Sequence, residues 1–92
     1  MSYLKRGACE ARLTLESPWA RALREALEPD NAHAPEGIRV TCKANRGGLY
    51  CEIRAECRDS RGILRLRNTI DDLIENAKAA LEALEASSGP ET

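Results

Sequence analysis

Residues 38–58 read IRVTCKANRGGLYCEIRAECR, and their alternation decides the fold. Ile38, Val40, Cys42 and Ala44 fall on one side, with Arg39, Thr41, Lys43 and Asn45 on the other. After Asn45-Arg46-Gly47-Gly48 the same period restarts, as Leu49, Cys51, Ile53, Ala55 and Cys57 against Tyr50, Glu52, Arg54, Glu56 and Arg58. A period of two belongs to a half-buried strand, whose successive side chains face opposite sides of a sheet. Asn and Gly accept the positive φ of a tight turn, so the two runs form an antiparallel hairpin.

Upstream, Cys9, Ala11, Leu13 and Leu15 alternate with Glu10, Arg12, Thr14 and Glu16, which predicts a third strand. Ser17 then stands where an N-cap is needed and Pro18 where a missing amide proton costs nothing. Trp19, Leu23, Ala26 and Leu27 recur at helical spacing, and Pro29 is expected to stop this helix after about eleven residues. Asp30 to Gly37, with the lone His33, has turn composition and reads as a surface loop.

Downstream, Asp59 or Ser60 is positioned to cap a long helix that tolerates Gly62 in its first turn. Ile63, Leu66, Ile70, Leu73, Ile74, Ala77, Leu81 and Leu84 step by threes and fours until Ser87-Ser88-Gly89-Pro90, beyond which fraying is expected. At 1.5 Å per residue this helix spans nearly 40 Å, more than a small three-stranded sheet covers. The order β-α-β-β-α, with one apolar face per strand, predicts an α+β fold. It has two layers: a three-stranded antiparallel sheet and two helices packed on one face. No linker or repeat divides the chain, so residues 1–92 read as a single domain.

A chain of 92 residues buries little, about 60% of its unfolded surface, and so gains by sharing a face with a partner. The overhang of the long helix and an open sheet edge are the expected places. Fourteen Lys and Arg against fifteen Asp and Glu give a net charge of −1, too little to steer the whole domain onto nucleic acid or an anionic membrane. The charges do segregate. Arg58, Arg61, Arg65 and Arg67 cluster where the long helix starts, whereas Asp71, Asp72, Glu75, Glu82 and Glu85 follow along it. The four arginines are therefore the candidate RNA contacts, with a modest and salt-sensitive contribution expected. The opening residues carry no apolar run after Lys5-Arg6 and no stretch is long enough to span a bilayer, so a soluble, cytoplasmic protein without a membrane partner is expected.

No residue pattern announces catalysis, a cofactor or a metal. His33 has no second histidine at ligand spacing, so it reads as an exposed side chain. Cys9, Cys42, Cys51 and Cys57 lack the short spacing of a zinc site. They share the apolar parity of their strands, and in a reducing compartment are expected to be free, core-filling thiols. Asp71, Asp72 and Glu75 read as a solvated face. Tyr50 is the lone ring on the outer sheet face, which weighs against the two-aromatic RNA platform of the RRM type. Residues offered to a protein partner are Trp19, Leu23, Leu27, Ile70, Ile74 and Leu81.

Leu13 to Asn31 (LTLESPWARALREALEPDN), ending in Pro29-Asp30-Asn31, resembles the opening of the small dimerising subunit of the archaeal KEOPS complex, the Pcc1 family. Gly62 to Ala77 (GILRLRNTIDDLIENA) is similar to that family's final helix through Leu64, Arg65, Asn68, Thr69, Ile70, Asp71, Asp72 and Leu73. With the Gly47-Gly48 hairpin the resemblance covers nearly the whole chain. It implies a non-catalytic scaffold subunit that homodimerises and packs its helices on the threonylcarbamoyltransferase subunit. Through that subunit it would reach the kinase and the remaining subunits. It further implies a part in tRNA processing, the making of threonylcarbamoyl-adenosine at position 37, and assistance to tRNA binding. A stand-alone small RNA-binding domain is the alternative reading. Four cysteines are more than the resemblance leads one to expect.

Overall fold

A computed structural model describes residues 7–87 of the chain. The elements run β1 (Ala8–Leu15), α1 (Ala20–Ala32), β2 (Ile38–Asn45), β3 (Gly48–Glu56) and α2 (Ser60–Ser87). The predicted two-layer α+β architecture is the one adopted, with a single antiparallel sheet of order β1-β3-β2. β3 lies in the middle. Its inward residues Leu49, Cys51, Ile53 and Ala55 are buried, whereas those of β1 and β2 are only half-buried. Register is fixed by the hairpin, which pairs Asn45 with Gly48 and Val40 with Ile53, while β1 pairs Leu13 with Cys51.

The core is completed by Ala20, Leu23 and Leu27 of α1 and by Leu73 and Ala77 of α2. α1 lies chiefly over β2 and α2 over β3, so β1 is the strand least covered on its inward face. The 28 residues of α2 span about 42 Å and β3 about 30 Å, so the last turns of α2 run past the sheet. The Asp59 side chain caps α2, its Oδ1 accepting the Gly62 amide at 3.0 Å.

Both bounds of α1 differ from expectation. Ser17 Oγ accepts the Trp19 amide at 3.0 Å, which closes a turn over Pro18, and the helix starts at Ala20. Trp19, not Ser17, takes the cap position, without a side-chain cap. Pro29 does not stop the helix, which continues to Ala32. Proline forfeits one ladder bond, but tertiary bonds hold the last turn: Asn76 Nδ2 donates to Asp30 Oδ2 at 3.1 Å and Asn31 Nδ2 to Cys42 Sγ at 3.3 Å. His33 finishes the helix by donating its amide to the Asp30 carbonyl (3.1 Å) and Nδ1–H to the Pro29 carbonyl (2.8 Å). The expected loop therefore begins only after Ala32.

The cysteines also depart from the expectation of free thiols. Cys42 is bonded to Cys51 and Cys9 to Cys57. Pairing of β2 with β3 sets Cys42 opposite Cys51. Pairing of β1 with β3 sets Cys9 opposite Ala55, which brings Cys57, just past the strand end, to a Cα separation of 5.8 Å. The four share one apolar parity for the reason given above, and the sheet order then makes them neighbours. Gly62 is likewise required where it was expected only to be tolerated. It is buried, and a Cβ there would run into the backbone of Glu56 and Cys57. The expected fraying after Ser87, and the segment before Gly7 that holds Lys5 and Arg6, lie outside the described residues.

Candidate interaction surfaces

Helical spacing groups the apolar residues of α2 into two adjoining stripes. Gly62, Leu66, Leu73, Ala77, Ala80 and Leu84 point into the core cluster. Ile63, Ile70, Ile74 and Leu81 fall on the next flank, about 27 Å from end to end, and of these Leu81 also packs against the core. Ile63 is 56% exposed, and Ile70, Ile74 and Leu81 are half-buried. Beside the half-covered inward face of β1, an edge strand whose outer amides and carbonyls have no ladder partner among the described residues, this flank is what the described part of the fold leaves open for another polypeptide.

The six residues expected to face a partner thus divide. Leu23 and Leu27 are fully buried in the chain's own core, at 0% and 1% exposure, so they are withdrawn from any surface. Trp19 is half-buried at the start of α1 and packs against the core while keeping an exposed edge. Ile70, Ile74 and Leu81 share the open flank, to which Ile63 belongs as well. The sequence signal for Ile63 was its place in the same spacing, but spacing alone does not separate core from flank.

Arg58, Arg61, Arg65 and Arg67 are all exposed. Arg61 and Arg65 lie one turn apart on one side of α2, and Arg67 lies on another side, about 160° from Arg65 at 100° per residue. Arg61 reaches Asp59 at 3.8 Å with both side chains largely in solvent, an ion pair worth little. The acidic residues Asp71, Asp72, Glu75, Glu82 and Glu85 are exposed, and His33 is engaged in ending α1.

Among the described residues no polar or charged side chain is buried, and no group of three or more His, Cys, Asp and Glu could hold a metal ion. No described helix is long and apolar enough to cross a membrane. What remains is a class: a thin two-layer α+β module whose distinctive features are an open edge strand and an uncovered helix flank, both suited to assembly. The family described as Transcription factor Pcc1 matches residues 8–85, and the chain belongs to it. No curated protein and no solved structure matches the chain. Membership supports a scaffolding and dimerising role of the KEOPS kind.

Proposed function

We propose that the chain is the non-catalytic dimerising subunit of a KEOPS-type assembly that makes threonylcarbamoyl-adenosine at position 37 of tRNA. Two copies join through the edge of β1 and the Ile63, Ile70, Ile74 and Leu81 flank of α2. The transferase subunit packs on the helical layer and links to the kinase and the other subunits, and Arg58, Arg61, Arg65 and Arg67 approach tRNA. The single observation that carries this reading is the family match across residues 8–85, on a chain whose helix flank and edge strand are uncovered by the other described residues. We place the protein in the cytoplasm of an archaeon. Two disulfides suit the cytosol of a hyperthermophile, where such bonds persist.

A DNA-binding reading, which the wording of the family description invites, has less behind it. The net charge is −1 and the four arginines do not share one side of α2. The test is co-purification from the native host with mass measurement of the intact assembly. The scaffold reading expects two copies of this chain with a transferase subunit. A lone monomer that binds no such subunit when the purified components are mixed would sink it.

A further inference from the structure

We propose that the outer face of the sheet holds a site that stacks one base of single-stranded RNA on Tyr50. This face lies opposite both helices, so the proposal does not rest on the scaffold reading. The register sets Tyr50 between Thr14 of β1 and Lys43 of β2, with Arg12, Glu52 and Thr41 forming the next row on the same face. These six residues line a depression of about 240 Å³, enough to seat one planar heterocycle.

Three features make it more than a scatter of polar side chains. Tyr50 is 39% exposed, and its ring is seated over the hairpin: a Cβ at Gly47 would stand 2.9 Å from the Tyr50 hydroxyl, so the glycine makes room for it. An aromatic already ordered in place loses little on stacking a base. Second, the nearby carboxylates are already engaged. Glu10 holds Arg54 at 3.1 Å and Glu52 reaches it at 3.7 Å, with Arg39 opposite Arg54 on β2. Lys43 and the turn residue Arg46 have no carboxylate within ion-pair distance among the described residues, and Arg12 has only a 3.8 Å contact at 76% exposure. Lys43 beside the ring on β2 and Arg12 one row away on β1 put a basic side chain on each strand that flanks Tyr50, where the phosphates of a stacked base would lie. Third, Thr14, Thr41 and Glu52 can hydrogen-bond to base edges or a ribose hydroxyl. A duplex keeps its bases stacked inside and offers no free ring to Tyr50. A protein partner would want apolar area, and Tyr50 is the large hydrophobic residue this face exposes among those described.

Binding of an end-labelled RNA of about ten nucleotides to the purified chain, followed by fluorescence anisotropy, tests the site. Loss of one stacked base predicts that Tyr50→Leu weakens binding about 5- to 100-fold, whereas Tyr50→Phe keeps it within about twofold. Lys43→Gln with Arg12→Gln lowers the slope of log affinity against log salt by about 1.4, the value for two phosphates of a single strand. Each variant is checked for an unchanged melting temperature, which the exposure of these side chains predicts. Equal affinity of Tyr50→Leu and Tyr50→Phe would overturn the proposal, as would equally tight binding of a duplex of the same sequence. So would the absence of binding by the natural chain. Binding that Arg61→Glu with Arg65→Glu abolishes and Tyr50→Leu leaves intact would put RNA on the helix and also overturn it.

Discussion

Cys42 and Cys51 face each other across the β2–β3 ladder with Cα atoms 4.0 Å apart, and their sulfurs are bonded. Together with Cys9–Cys57, which ties the start of β1 to the segment between β3 and α2, this bond cross-links all three strands of a thin sheet. A core of this size gains much from such links, because each removes conformations from the unfolded chain. The two bridges close separations of 48 and 9 residues, so the longer one contributes more in the chain-entropy account. Adding a phosphine reductant should therefore lower the denaturation midpoint by the equivalent of about 2–4 kcal/mol per bridge. Alkylation followed by mass spectrometry should label no cysteine before reduction and all four afterwards. An unchanged midpoint, or labelling of the untreated protein, would contradict the pairing.

Gly62 provides a prediction in which the sign decides. In an ordinary helix interior Gly→Ala stabilises, by about 0.5–1 kcal/mol, since alanine loses less backbone freedom. At Gly62 the new methyl would enter the space held by the Glu56 and Cys57 backbones, where the chain leaves β3 and turns into α2. Gly62→Ala is expected to destabilise by about 1–3 kcal/mol, as overpacking does. Urea denaturation that shows the variant to be the more stable protein would mean that α2 does not approach β3 this closely.

Pro29 offers the opposite case. It lies inside α1, where it withholds a ladder bond, and the helix persists because Asp30 and Asn31 are bonded to Asn76 and Cys42. Pro29→Ala restores the missing donor and should stabilise by about 1–3 kcal/mol, within the difference between the two residues in a helix. In an Asp30→Ala, Asn31→Ala background the natural proline should instead truncate the helix at its last turn, read as faster amide exchange at residues 30–33. Unaltered exchange there would show that the side-chain bonds do not hold this turn.

Periodicity carried most of the fold into the sequence reading. The two-residue alternation of Ala8–Leu15, Ile38–Asn45 and Gly48–Glu56 states which side of each strand faces inward, and the capping Asp59 marks the start of α2. Alternation says nothing of which strands are neighbours. That is why the order β1-β3-β2, and with it the pairing of Cys9 with Cys57, was not legible from spacing. The ends of α1 were missed because a local rule, proline as a stop, lost to tertiary bonds made 11 and 46 residues away. For the same reason the candidate interface was only half legible. Leu23 and Ile74 both sit at helical spacing, yet one is at the centre of the core and the other on its rim.

That distinction between centre and rim yields a prediction about assembly. Ile70 and Ile74 are half-buried on the flank of α2 and lie outside the group packed on the core, so a carboxylate at either position can reach solvent in the isolated chain. In a dimer joined across this flank the same carboxylates would be buried without a partner, which costs far more than the lost apolar contact. Ile70→Glu with Ile74→Glu should thus yield a monomer by light scattering, with an unchanged far-ultraviolet circular dichroism spectrum, while the natural chain is a dimer at the same concentration. Leu23→Ala supplies the contrast. It empties a fully buried position and should cost about 2–5 kcal/mol of stability, with dimerisation lost only as the fold is lost. If the doubly substituted chain keeps the mass of the natural one, the copies meet elsewhere, and the remaining open edge, that of β2, becomes the surface to test.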